Sequence, residues 1–226
     1  MNIFEKHEIF EIEVLTYLKN NNLLSPLVFA GGTMLRLCYD SDRYSTDLDF
    51  WFIHPVDYKL YFDGLKTKLS DKYELTDAQL KFNTLLFEIR SSFYPKRLKI
   101  EIRKQIKQCD YQKKIAFSKY TNAQVLLNAL TLKEAMKAKV EAALNRKNIR
   151  DFYDIEFLLR KGVALNIFDT GALKKLKSIA LNFKNKDFKV ILGAVLEQEI
   201  REYYIINRFE YLVGKINGEL NKRQAV

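Results

Sequence analysis

Apolar residues at helical spacing open the chain. Ile3, Phe4, Ile9, Phe10, Ile12, Val14, Leu15 and Leu18 form a broad apolar face and predict an amphipathic helix over 3–18, ended where Asn20, Asn21 and Asn22 break the pattern. Ser25 and Pro26 lead into a short buried strand over 27–30. A Gly-Gly-Thr turn then opens a helix carrying Met34, Leu35 and Leu37, and the loop DSDRYST delivers the chain into a strand over 47–53 that Pro55 closes. A helix over 56–69 turns Tyr58, Tyr61, Phe62, Leu65 and Leu69 toward the sheet. Strands are expected near 73–77, 81–89 and 97–104, the last two separated by SSFYPK as a hairpin loop.

The pattern changes after residue 104. Residues 105–119 are polar and basic, with Lys107, Lys113, Lys114 and Lys119 interleaved with Tyr111 and Phe117. Two readings stand: a nucleic-acid-facing lip, where cations meet phosphates and aromatic faces stack on bases, or a solvated connector. The domain boundary is placed here, giving a sheet domain over 1–120 and a mostly helical domain over 121–226. VLLNAL is a last short strand or an apolar link. Thr131 and Glu134 have the spacing of a capping box, ahead of an i, i+4 ladder of Leu132, Met136, Val140 and Leu144. Gly162 is expected to end the next helix, and Asp169 or Thr170 to cap one carrying Leu173, Leu176, Ile179, Ala180 and Phe183. The tail over 189–220 reads as strongly helical, with Tyr203, Tyr204, Phe209 and Tyr211 as packing residues rather than base-stacking platforms. The fold class is α+β: a mixed sheet with flanking helices, followed by a mostly α-helical C-terminal domain.

Composition narrows the partners. With 226 residues and 48% apolar content the chain can build one large domain or two small ones. It contains no run of about 18 apolar residues, and its start, MNIFEKHEIFEIEVL, is too acidic and amphipathic for a signal peptide, so a cytoplasmic protein with no membrane partner is expected. Cys38 and Cys109 have no metal-ligand spacing with His7 and His54, which argues against a zinc site or a disulfide framework. A net charge of +10 and a pI near 9.4 favour a polyanionic partner without choosing between nucleic acid and NTP.

The candidate chemistry lies between residues 31 and 49. Gly31 and Gly32 let the backbone turn sharply and approach a ligand, the following helix points its N–H groups at an anion, and Thr33 adds a hydroxyl. Asp47 and Asp49, two apart on a strand, project to one face and repel each other unless a cation lies between them. Mg²⁺ suits such a pair, because it takes one or two carboxylates and fills its remaining positions with water and substrate phosphates. Glu101 alternates outward between Ile100 and Ile102 and is a candidate third carboxylate, against the plainer reading of a surface acid balanced by Lys99 and Arg103; Glu88 is the second candidate. Lys139, Arg146 and Arg150 lie along one edge of an apolar helical stripe, where they suit a triphosphate in a cleft completed by the helical domain.

These motifs carry a resemblance. GGT followed by RYSTDLDF is similar to the signature of the DNA polymerase β-like nucleotidyltransferase superfamily. It most resembles the AbiEii/AbiGii-type branch, with Arg43, Ser45, Asp47 and Asp49 filling an R-x-S-x-D-x-D run. KVEAALNRKNIRDFYDIEFLL resembles the second motif of that branch, K-x-x-A-x-x-x-R followed by R-D-x-x-D, at Lys139, Arg146, Arg150, Asp151 and Asp154. Over roughly residues 25–160 the resemblance implies a toxin-like nucleotidyltransferase that moves an NMP from an NTP to RNA, with tRNA ends a known type of acceptor, releases pyrophosphate and is relieved by an antitoxin protein. It also implies that Asp47, Asp49 and Glu101 hold two Mg²⁺ ions (Mn²⁺ being the alternative), that LKIEI is the third-acid strand, that Lys139 binds the nucleotide phosphates and that Asp154 is a further functional acid. Gly32, Thr33, Lys139 and Arg43 would hold the β- and γ-phosphates. Asp151 and Asp154 also admit a plainer reading, as acids that favour a helix start or pair with Arg146 and Arg150. Thr33 stands where the wider superfamily has Ser, and both carry a hydroxyl. Two other functions fit the same residues: transfer to a small hydroxylated molecule, as in the aminoglycoside-modifying enzymes of the superfamily, and a catalytically silent NTP- or RNA-binding module.

Overall fold

The computed structural model describes residues 1–106, 108–167 and 169–224, which divide into two compact units. Residues 1–40 and 44–131 form a sheet unit, and residues 41–43 and 132–226 a helical unit. The division falls after Thr131 rather than at 120, because the VLLNAL segment is a full strand of the sheet.

Helix α1 (Ile3–Asn20) begins at Asn2, whose side chain accepts the amides of Phe4 and Glu5 while Glu5 returns a bond to the Asn2 amide. It ends in the Asn run, where Asn22 takes φ 58°. The unit continues through β1 (Leu27–Ala30), α2 (Gly31–Tyr39), β2 (Asp47–Phe52), α3 (Tyr58–Lys72), β3 (Glu74–Leu80), β4 (Thr84–Arg90), β5 (Leu98–Arg103), β6 (Tyr111–Phe117) and β7 (Gln124–Leu130). The seven strands run in the order β3-β4-β5-β2-β1-β7-β6, with β2 parallel to β5, β1 parallel to β7, and the other pairs antiparallel. This is the mixed sheet with flanking helices that the sequence pattern predicts.

The central strands alternate where they carry the acids. Leu48, Phe50 and Phe52 of β2 and Leu98, Ile100 and Ile102 of β5 are buried, and Phe29 of β1 stacks on Phe50 at 5.1 Å. Asp47, Asp49, Lys99 and Glu101 are the intervening positions, half-buried on the opposite face. The same burial that builds the core therefore fixes which way the acids point.

The basic stretch after residue 104 is not only a connector. Its residues 111–117 form the edge strand β6, paired along its length with β7. Tyr111, Ile115 and Phe117 alternate onto a solvent-facing side, joined by Leu126 across the pair, while Ala116 is buried. Lys107 lies outside the described residues.

The helical unit contains α4 (Leu132–Arg146), α5 (Ile149–Arg160), α6 (Thr170–Asn182), a π-helical turn (Asp187–Leu192), α7 (Gln198–Asn207) and α8 (Glu210–Gln224). Asp169 caps α6 through the amides of Gly171 and Ala172, and Gly162, with φ 82°, follows the end of α5. The expected continuous tail helix is interrupted: Leu196 is extended and Arg208 takes φ 47°, which folds α8 back so that Phe209 meets Phe152, Phe183 and Phe188. None of the described helices is long and apolar enough to cross a membrane.

Helix α5 is the axis of this unit and carries a fully buried acid, Glu156. Its carboxylate accepts the Leu212 amide at 3.1 Å, the Tyr204 hydroxyl at 3.1 Å and Arg160 Nη2 at 2.9 Å, so α5, α7 and α8 share one acceptor. Replacing Glu156 by Leu strands the Leu212 N–H and the Tyr204 hydroxyl. We expect a loss of about 3 kcal/mol in urea unfolding, at one to three per unsatisfied group, against under 1 kcal/mol for the exposed Glu202→Leu control.

Candidate active site

The Gly-Gly-Thr turn and the D-x-D strand are built against each other. Ala30 and Asp49 are register partners on β1 and β2, so the chain turns into α2 directly beside the Asp49 carboxylate. A Cβ on Gly31 would lie 2.2 Å from Asp49 Oδ2, and Gly31 has φ 78°; both facts demand glycine. Helix α2 has no side-chain cap at its N-terminus, which leaves its first amides for an anion. Thr33 is fully buried, and its hydroxyl donates to the Asp47 carbonyl at 2.7 Å. It ties helix to strand, so the hydroxyl is engaged within the protein.

Parallel pairing aligns Asp47 with Lys99 and Asp49 with Glu101. Glu101 is thus the acid of the neighbouring strand that faces the Asp pair, while Glu88 is engaged by Arg97 at 2.8 Å and Thr76 at 2.8 Å. Lys99 is a member of this group that sequence reasoning treated only as a surface counter-charge. Its ammonium bonds Glu101, and although burial works against its charge, that bond and the charges of Glu101, Asp47 and Asp49 raise its pKa. Alternation places Lys99 on the face of Glu101, and the register then sets it opposite Asp47. Among the described residues no three His, Cys, Asp or Glu side chains converge tightly enough to enclose a cation. The donor set still fits Mg²⁺, which needs only one or two protein carboxylates when phosphate oxygens complete its shell.

Behind this face, α1 contributes a buried polar pair. His7 Nε2–H donates to the Thr46 carbonyl at 3.0 Å, one residue before Asp47, and lies 3.6 Å from Glu11 Oε1. Both side chains are about 1% exposed. Burial, then the charges of Glu8 and Asp47, push the Glu11 carboxyl well above its ordinary range against the pull of Arg36; burial pushes the His7 imidazolium down. Both shifts favour the uncharged form of the side chain. Burial likewise raises the Cys38 thiol to about 12, which makes it an inert core residue.

The second group of predicted residues assembles within the helical unit. Arg43 grips Asp154 with Nε and Nη2, each at 2.9 Å. Lys139 lies 2.6 Å from Asp154 and 3.5 Å from Asp151, and Arg146 clasps Asp151 at 2.6 and 2.7 Å. Asp154 is fully buried; burial alone would raise its pKa, but Arg43 and Lys139 outweigh it and hold the carboxyl below its ordinary value. Arg43, Lys139 and Arg146 thus share the carboxylates of Asp151 and Asp154. Arg150 is exposed at the start of α5, its amide accepted by Asn148, and Ser45 is half-buried in the loop before β2.

Two outcomes follow. Glu11 keeps its proton to higher pH in the folded than in the unfolded chain, so its stabilising effect is full below about 4.3, the ordinary Glu value, and is lost as pH rises through the folded value. Glu11→Gln should therefore raise Tm more at pH 8 than at pH 5 in calorimetry; equal gains at both would contradict this. Gly31→Ala should cost about 1–3 kcal/mol in urea unfolding from the left-handed backbone alone. It should also weaken Mn²⁺ binding measured by electron paramagnetic resonance, because the new methyl displaces the Asp49 carboxylate.

The sequence model described as the nucleotidyl transferase AbiEii toxin of a type IV toxin–antitoxin system matches residues 13–205. Among solved structures, a Helicobacter pylori protein described as a candidate nucleotidyltransferase aligns at 17% identity over 94% of this chain and 96% of its own, with a TM-score of 0.58. JHP933 from Helicobacter pylori aligns at 17% identity over 96% of each chain, with a TM-score of 0.52. No curated protein matches. The two structures share the fold, and the family match spans the Asp47–Asp49 strand, the Lys139–Asp154 cluster and most of the helices: the chain belongs to the AbiEii family of nucleotidyltransferase toxins.

Proposed function

We propose that the protein transfers an NMP from an NTP to an RNA acceptor of the tRNA type, with Mg²⁺ held by Asp47 and Asp49 and assisted by Glu101. The observation that carries this reading is the common face of Asp47, Asp49, Lys99 and Glu101, built directly against the uncapped start of α2. When bound, the metal supplies activation of the acceptor hydroxyl and neutralisation of the pyrophosphate leaving group. The chain's own residues position and neutralise. The Gly31, Gly32 and Thr33 amides receive a phosphate oxygen, and the Lys99 ammonium offsets part of the carboxylate charge until the substrate arrives.

In the helical unit, Lys139, Arg43, Arg146 and Arg150 provide cations for the polyphosphate. Asp154 positions two of them rather than exchanging protons, because two cations hold it ionised. An RNA acceptor is supported by the net charge of +10 and by the β6 edge, where Tyr111 and Phe117 are exposed beside Lys113. Membership in a type IV toxin family supports an antitoxin as the protein partner.

The reaction is tested by incubating the protein with Mg²⁺, total tRNA and each of the four α-³²P-labelled NTPs in turn. We expect label on RNA from at least one NTP, reduced about a hundredfold or more by Asp49→Ala. RNA binding should weaken steeply with salt, roughly in proportion to the phosphates contacted. NTP binding without RNA labelling would overturn the acceptor assignment.

A further inference from the structure

The helical unit contains a cavity of about 340 Å³ walled by α5, α7 and Asp42. Its floor is aromatic. Tyr153 and Phe157, one turn apart on α5, are nearly buried, as is Tyr204 of α7, whose ring lies 5.2 Å from that of Tyr153. Tyr203 stands at the mouth, 41% exposed, its ring held edge-on to Tyr204 at 5.2 Å and its hydroxyl accepting from Arg160 at 2.9 Å. The tyrosines expected to be packing residues are therefore of two kinds: Tyr204 packs and bonds Glu156, whereas Tyr203 is an exposed face fixed in advance.

The rim carries polar groups of both signs. Asp42 and Glu199 have no ion pair or side-chain hydrogen bond among the described residues, whereas Arg160 is already paired with Glu156 and lies over the Tyr211 ring at 4.4 Å. A simple cation would meet the Arg160 guanidinium, and a purely apolar ligand would leave the two carboxylates desolvated and unpaired. A neutral aromatic ring with N–H donors on its edge satisfies both conditions: its faces take the tyrosines, its amino group the carboxylates, and its carbonyl or ring nitrogen the arginine. The walls also adjoin the cation cluster in sequence, since Asp42 precedes Arg43 and Tyr153 precedes Asp154.

We infer that this cavity is a nucleobase pocket in which Asp42 and Glu199 select bases bearing an exocyclic amino group. The ring belongs either to the incoming NTP or to the acceptor RNA, and the inference deepens the transferase reading on which it rests. Carboxylates pair with exocyclic amines such as cytosine N4, and uracil, with two carbonyls and a single N–H on its pairing edge, offers the least.

The test measures binding of the four NTPs by calorimetry, and of short oligo(rC), oligo(rA) and oligo(rU) by anisotropy. The full-length chain is compared with Asp42→Asn/Glu199→Gln and with Tyr203→Ala; all three altered side chains are exposed, and melting curves check folding. We expect uridine to bind about tenfold more weakly than cytidine or adenosine in one arm. The double variant should reduce that ratio to about twofold, and Tyr203→Ala should weaken all bases about tenfold. Discrimination in the NTP arm assigns the pocket to the incoming nucleotide, and in the oligonucleotide arm to the acceptor. Folded variants that bind every base as the unaltered chain does in both arms overturn the inference. If the base preference behaves as expected while the unaltered chain labels no RNA, the transferase reading fails and the pocket stands.

Discussion

Two carboxylates two residues apart on one strand face are a source of repulsion that a protein must manage before any ligand arrives. Here the constraint organises the sheet unit. The strand carrying Asp47 and Asp49 is locked by burial of Leu48 and Phe50, so neither acid can escape by a register slip. On β5, Lys99 is register partner to Asp47 and its charge is favoured by both acids, while the start of α2 beside them carries no side-chain cap. Gly31 is the steric half of the same solution, because any side chain there would occupy the space of the Asp49 carboxylate.

The helical unit meets the opposite problem, since α5 buries Asp151, Asp154 and Glu156 almost completely. Buried carboxylates are tolerated only when paired and hydrogen-bonded, and each has a different partner set. Asp151 is clasped by Arg146, Asp154 by Arg43 and Lys139, and Glu156 by Arg160, a tyrosine hydroxyl and a backbone amide. The pairs on Asp151 and Asp154 fix cations at defined points, while that on Glu156 fixes helices. One helix thus uses neighbouring acids for two different tasks, holding cations in place and tying helices together.

The periodicities made much of this legible. Alternation on the strands from residue 47 and from residue 98 named the acid-bearing face, and the Asp169 cap and the Asn break of the first helix followed from local side-chain chemistry. The edge strand β6 was obscured because its burial is one-sided and sparse, so an alternating exposed stretch resembled a polar connector. The break at Arg208 was invisible because an arginine at positive φ has no sequence signature; the packing of Phe209 against the rings of Phe152, Phe183, Phe188 and Tyr204 accounts for it. Lys99 was readable in position but not in role, since a lysine beside a glutamate on a half-exposed strand is ordinary until its register against Asp47 is known.

The R-x-S-x-D-x-D run, which reads as one motif, is physically two. Asp40 ends α2 in the left-handed conformation, and the next three residues belong to the helical unit, where Arg43 is gripped by Asp154. From Tyr44 onward the chain is again part of the sheet unit: Tyr44 lies under the Arg36 guanidinium at 4.4 Å, its hydroxyl meets that of Tyr120 at 3.0 Å, and His7 and Thr33 fasten the carbonyls of Thr46 and Asp47. Arg43 is therefore fastened by a buried ion pair within the helical unit, and Asp47 by a clamped strand start within the sheet unit. One short stretch of sequence thus carries two separate anchors, each built by residues of its own unit, and what reads as a single motif is held by two unrelated sets of interactions.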